Sequence, residues 1–198
     1  MSRRVLVVFA HPDASSFCGA LRDLAVRMCS ERGHEVRVHD LYDSGFSPVV
    51  SPNEWSLRAA EPDTKPHLAS HHADVAWCDT LVFVYPTWWS GQPAIMKGWI
   101  DRVLANGVAW TIDPESGNVM PALRNVTRIV VVTTHGRSRA VNFICGRAGR
   151  ATIVRCVRRL CSWRCRTTWL ALYSIDGSTR FERDRFMQQV ERVLRRIA

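Results

Sequence analysis

What most constrains this chain is a regular alternation of two periodicities. Short apolar runs rich in β-branched residues occupy 5–9, 35–39, 80–85 and 129–133, and a fifth run, richer in Trp and Leu, occupies 167–173. Between them lie helical patterns at 17–32, 66–77, 93–105, 141–160 and 179–197; in the first, Leu21, Leu24, Ala25 and Met28 share one face. Parallel strands need a crossover between them, so strand and helix in strict alternation predict a parallel sheet covered on both faces. The first, third and fourth runs are apolar enough to be central. The 198 residues are expected to form one domain, 1–198.

Five such strands predict an α/β, flavodoxin-like three-layer sandwich with a five-stranded parallel sheet in the order 2-1-3-4-5. Ligands of such sheets sit beyond the carboxyl ends of the strands, at the switch point between strands 1 and 3. Functional residues are therefore expected just after Phe9, Tyr85 and Thr133. The stretch 44–66, rich in Pro and Ser, reads as a surface excursion.

Charge is regional. Between Ser116 and Ile175 there are eleven Arg and no Asp or Glu, although the whole chain is only +9. Such a belt is either a solvated face or an attractor for phosphates; nucleic-acid binding is not expected. The opening apolar run is too short to span a membrane or to serve as an export signal, and the expected compartment is cytoplasmic, without stable membrane insertion. Seven cysteines, with no Cys-x-x-Cys pair, fit free thiols in a reducing compartment; Cys156, Cys161 and Cys165 lack a standard zinc partner set, and no metal is expected. His71 and His72 share a polar helix with Asp74, a weak case for a ligand site.

Three segments carry the chemistry. The first, 10–18, opens a helix after strand 1 and aims backbone N–H groups and a helix dipole at one point, as a phosphate requires. His11, Ser15 and Ser16 would add donors, or a serine there simply caps the helix. The second, 85–103, offers Trp88 and Trp89 as flat surface, with Pro86 fixing the turn and Pro93 opening the next helix. Only one of two neighbours on an extended segment can point inward, so the other Trp faces a cavity, a partner or solvent. The third is 133–138, where Gly136 permits close approach.

Taken together, His11 with Ser16-Phe17-Cys18, Pro86 to Trp89, and Pro93-Ala94-Ile95-Met96-Lys97-Gly98-Trp99 resemble the NAD(P)H:quinone oxidoreductases of DT-diaphorase type and their shorter bacterial relatives. The resemblance runs from strand 1 to about Gly136 and is most specific over 86–102. It implies FAD or FMN, with its phosphate on His11, Ser16, Phe17 and Cys18 and its ring against Pro86, Thr87, Trp88, Trp89 and Ser90. It also implies NAD(P)H as co-substrate, a quinone-like acceptor, and a homodimer with active sites near the subunit interface. Thr133, Thr134 and Gly136 match the family's approach to the flavin's pyrimidine side. His135 departs from it, and either bonds the ring or is a tolerated loop residue. The family's Tyr and His that assist hydride transfer have no counterpart at 141–147. Where the family has two acceptor-pocket tyrosines this chain has Trp110 and Ile112, an apolar pocket unless Trp110 packs a hairpin.

The resemblance implies ping-pong hydride transfer. Reduced flavin gains negative charge that preorganised donors would stabilise, and the loop after strand 4 is placed to do so, which makes Thr134, His135 and Arg137 the candidate catalytic set, with Arg139 adding to the field. Two other readings compete: an ancillary regulatory subunit of a transporter, as some short relatives are, and an electron-transfer flavodoxin. The second is disfavoured by the basic charge and the His-Pro-Asp that follows strand 1.

Overall fold

The computed structural model describes residues 2–56 and 66–197. Its main sheet holds β1 (Arg4–Phe9), β2 (Glu35–Asp40), β3 (Thr80–Thr87), β6 (Arg128–His135) and β7 (Arg166–Leu172). All its pairings are parallel and the order is β2-β1-β3-β6-β7, the expected 2-1-3-4-5. A separate antiparallel hairpin of β4 (Trp110–Ile112) and β5 (Val119–Pro121) stands outside it.

Strand periodicity divides the core in two. Leu6, Val8, Leu81, Phe83, Ile129 and Val131 face one layer, built from α3 (Ala69–Trp77), α4 (Ala94–Val103) and residues 153–165. Val5, Val7, Phe9, Val82, Val84, Val130 and Val132 face the other, built from α1 (Phe17–Glu31) and α7 (Arg180–Leu194). Helix ends follow their capping residues. Ser16 caps α1, which stops at Gly33 with φ +73°, and Thr179 and Glu182 close a capping box on α7.

One expectation is corrected, and two gain detail. The pattern at 141–160 is not one helix: α5 (Arg139–Ile144) ends, Gly146 and Arg147 take φ of +77° and +51°, and α6 (Ala148–Ala151) restarts, widens into a π turn and then tightens into a 3₁₀ turn. Phe143 and Ile144, 63% and 82% exposed, never formed a core stripe, and two consecutive left-handed residues reverse the chain. The excursion after strand 2 is, where it is described, the expected surface stretch, mostly exposed up to α2 (Pro52–Ser56) and anchored through Phe46 and Glu54. Glu54 and Arg102, each 7% exposed, pair at 2.9 Å, Arg102 also donates to Ser47 O, and Pro48 lies where a Cβ on Gly98 would have to go. Residues 57–65 of that stretch lie outside the described residues. Of the α3 histidines, His72 is buried, and His71 meets His39, Phe46 and the indole N–H of Trp99.

Among the described residues no helix is long and apolar enough to cross a membrane. No group of three or more His, Cys, Asp or Glu there is placed to hold a metal.

Candidate functional site

Three segments meet at the carboxyl ends of β1, β3 and β6. Register brings them together: Phe9 pairs with Val84, Pro86 with Thr134, and Thr87 with His135.

The loop after β1 is ordered by Asp13, whose carboxylate accepts from the backbone N–H (2.8 Å) and hydroxyl (2.6 Å) of Ser15. Those bonds hold its carboxyl below the usual range and occupy the Ser15 hydroxyl. His11 Nδ1 lies 2.8 Å from Asp13 O and 3.0 Å from Asp13 N, so one of the two bonds forms according to tautomer; among the described residues none bonds to Nε2. Ser16 Oγ accepts from Gly19 N (3.2 Å), which makes it the cap, but its own O–H remains available to donate. The N–H groups of Phe17 and Cys18, in the first turn, have no intrahelical acceptor. Their side chains turn into the core. Burial pushes the Cys18 thiol up to about 11, so it is a packing group beside Thr134 Oγ1 (3.4 Å) and not a thiolate. Gly19 is required, because a Cβ there would collide with Ala14 O.

The second segment differs from the expected extended pair. Pro86 and Thr87 belong to β3, so Pro86 does not make the turn. The reversal comes at Trp89 and Ser90, with φ +48° and +60°, closed by reciprocal backbone bonds between Trp88 and Gly91 (3.1 and 2.9 Å). Two central residues at positive φ make a type I′ reversal, a geometry that favours Asn and Gly; a tryptophan held there is strained. Neither indole enters the core: Trp88 is half exposed and Trp89 wholly exposed (102%). Sitting at a turn, the neighbours escape the in-out alternation of a strand.

In the third segment β6 runs through Thr133, Thr134 and His135, all buried, so His135 is a strand residue rather than a loop one. Thr134 turns toward Cys18. On the opposite face Thr87 Oγ1 lies 2.8 Å from Thr133 Oγ1 and 3.3 Å from His135 Nε2. The His135 ring stacks on Tyr173 with centroids 4.5 Å apart, and burial pushes its pKa down to about 4, so it is neutral at pH 7. Gly136 and Arg137 are exposed beyond the strand, with the Asp176 carboxylate close to Gly136. The sequence reading missed Tyr173; it ends the fifth run, and the predicted adjacency of strands 4 and 5 was the signal that could have found it.

Trp110 and Ile112 are not brought to these loops. α4 carries the chain to the opposite end of the sheet, where the hairpin precedes β6. Trp110 packs against the core and its Nε1 donates to Leu104 O (3.0 Å), as the hairpin alternative requires; Ile112 is exposed. A cavity of about 750 Å³ between α1, β2 and α3 draws no wall from the three segments.

Comparison with known proteins agrees with this layout. The description of a family with a flavodoxin-like fold matches residues 3–197. An NAD(P)H oxidoreductase of Haemophilus influenzae is 36% identical over 122 residues, covering 61% of this chain and 58% of that protein. NAD(P)H dehydrogenase [quinone] 1 of Cavia porcellus is 34% identical over 125 residues, covering 55% and 46%. The chain spans about half the length of the sequence relatives it matches. Among solved structures, an NAD(P)H:quinone oxidoreductase from Methanothermobacter marburgensis superposes with a TM-score of 0.82 at 25% identity, over 100% of both chains. The chain therefore belongs to the flavodoxin-like fold family, among relatives named as NAD(P)H dehydrogenases and NAD(P)H:quinone oxidoreductases.

Proposed function

We propose that the chain is a flavin-dependent NAD(P)H dehydrogenase, acting as a homodimer, that carries two electrons from NAD(P)H to a quinone-like acceptor, the two substrates taking turns in one opening. The observation that carries this reading is a helix start with unsatisfied donors, next to a fully exposed tryptophan held at positive φ, at the carboxyl ends of β1 and β3. Strained backbone of this kind persists where it serves a site.

The residues fit FAD or FMN. A phosphate needs several donors in one place, and Phe17 N–H, Cys18 N–H, Ser16 O–H and His11 Nε2 supply them without breaking a bond inside the protein. A flat ring needs apolar surface, and Trp89 has no protein group to cover it. When bound, a flavin supplies the two-electron chemistry, and the protein contributes binding, orientation and electrostatics.

The three candidate catalytic residues divide these tasks. Thr134 acts through its backbone, because its buried side chain is turned to Cys18. His135 brings a rigid, neutral ring that offers hydrogen bonds and no charge. Positive potential at this rim comes from Arg137 and Arg139, both exposed. In that homodimer a second copy's hairpin would bring Trp110 and Ile112 to the acceptor opening.

The test is direct. Protein purified alone should be yellow, release FAD or FMN on heating, identified by mass, and oxidise NAD(P)H only when a quinone is added. A colourless protein that takes up neither flavin refutes the proposal. Turnover that required an added membrane protein would favour the regulatory-subunit reading.

A further inference from the structure

Next to this site lies a second cavity, of about 310 Å³, of whose walls the function so far uses only Arg139. Its walls are Arg139, Arg147, Arg150, Gln189 of α7, and Trp169 and Tyr173 on one face of the β7 segment. It touches the first site directly: Tyr173 stacks on His135, Gly149 N donates to Ser90 O (2.8 Å), and Gln92 Nε2 donates to Gly149 O (2.7 Å).

The charges in this wall are unbalanced. Arg22, Arg37, Arg102 and Arg195 all pair with carboxylates, whereas among the described residues none of these three arginines does. Three guanidinium groups around one small space repel one another unless an anion joins them. Arg147 is held there at a cost: it is a non-glycine residue at φ +51°, its guanidinium lies 4.6 Å from the Phe143 ring centre, and its Nε is shut off from solvent with no hydrogen-bond partner among the described residues. A buried donor without an acceptor is the kind of defect a ligand repairs.

The rest of the wall narrows the ligand's class. Guanidinium forks match phosphate, the Trp169 and Tyr173 faces suit a heteroaromatic base, and the Gln189 amide offers one donor group and one acceptor, as a purine edge does. The volume is at the lower end for ligand pockets, which suits one nucleotide rather than a dinucleotide. We infer that this cavity receives the adenosine end of the reduced dinucleotide, with the arginines on a ribose 2′-phosphate, so that the chain favours NADPH over NADH. This rests on the dehydrogenase reading above.

Binding of adenosine 2′,5′-bisphosphate, 5′-AMP and inorganic phosphate to the flavin-loaded protein, by calorimetry, tests it without any turnover. The bisphosphate should bind at least about tenfold more tightly than either of the others. Arg147→Gln and Arg150→Gln should each weaken it by about ten- to a hundredfold, the range of one lost charge-assisted bond, while Arg159→Gln, exposed and outside the cavity, leaves it unchanged. The same two variants should lower kcat/KM for NADPH by that factor and for NADH less than about threefold. Equal affinity for the bisphosphate and 5′-AMP, or an equal loss in Arg159→Gln, overturns the inference and leaves a general anion surface or the flavin's own adenosine as the occupant. Oxidation of both dinucleotides without such discrimination overturns the inference alone. Tight bisphosphate binding with oxidation of neither overturns the dehydrogenase reading instead.

Discussion

Replacing Trp89-Ser90 by Asn-Gly should make the flavin-free protein more stable while weakening its hold on flavin. Both residues sit at positive φ, which costs a side-chain-bearing residue roughly 1–2 kcal/mol, so the pair stores about 2–4 kcal/mol. Glycine returns about 0.4–1 kcal/mol of that to the unfolded chain as added entropy, and asparagine keeps part of the left-handed penalty. No burial is lost, because Trp89 is wholly exposed. The net gain is about 1–2 kcal/mol, and for a chain of this size each kcal/mol moves Tm by roughly 2–4 °C. Thermal unfolding of the apoprotein, followed by circular dichroism, should therefore show a rise of roughly 2–8 °C; the apo form is needed because bound flavin would add its own stabilisation. Titration with flavin should then show weaker binding. An unchanged or lower apo Tm would mean that the turn stores no strain, and a raised Tm with wild-type flavin affinity would separate the strain from the cofactor.

Three further outcomes follow from particular contacts. Ser16→Asp should keep the α1 cap, and so keep stability within about 0.5 kcal/mol, but weaken flavin binding through charge repulsion at the phosphate; unchanged binding would confine Ser16 to capping. In the wild type, the unfolded chain protonates His135 near pH 6.5 and the folded chain only near 4, so its contribution is complete above 6.5 and is lost as pH falls toward 4. His135→Gln should make urea stability fall less steeply over that window, by at most about 3 kcal/mol; parallel curves would contradict the burial argument. Arg102→Met should cost about 3–5 kcal/mol by stranding the buried Glu54 carboxylate, and adding Glu54→Gln should restore part of it; strict additivity would show that the pair is not coupled.

The framework was legible because period-2 apolar runs and turn residues are local properties. Runs such as 5–9 and 129–133 needed only a residue or two added at their ends to become β1 and β6. The loops at their carboxyl ends followed from topology. What stayed hidden depends on contacts between distant residues or on costly backbone. No propensity places Trp and Ser in a type I′ turn, so Trp88-Trp89 read as an extended pair. The break at Gly146 was signalled only by that glycine and Gly149 inside an otherwise helical pattern, while the left-handed Arg147 had no signal at all. The stack of His135 on Tyr173 and the pair Glu54–Arg102 join residues 38 and 48 positions apart, and only a register or a fold can bring them together.

The position of β7 gives the arginine-rich segment a further effect. As the last strand in the order β2-β1-β3-β6-β7 it has a sheet neighbour on one side only, and an open rim of this kind can recruit a strand from another molecule and let the sheet grow into an aggregate. Arg139, Arg147 and Arg150 crowd the same strand, whose own first residue is Arg166. Two copies meeting rim to rim would press like charges together at short range. Multivalent anions that neutralise this border should therefore promote rim-to-rim association, and chloride, a weaker partner, should leave the repulsion in force.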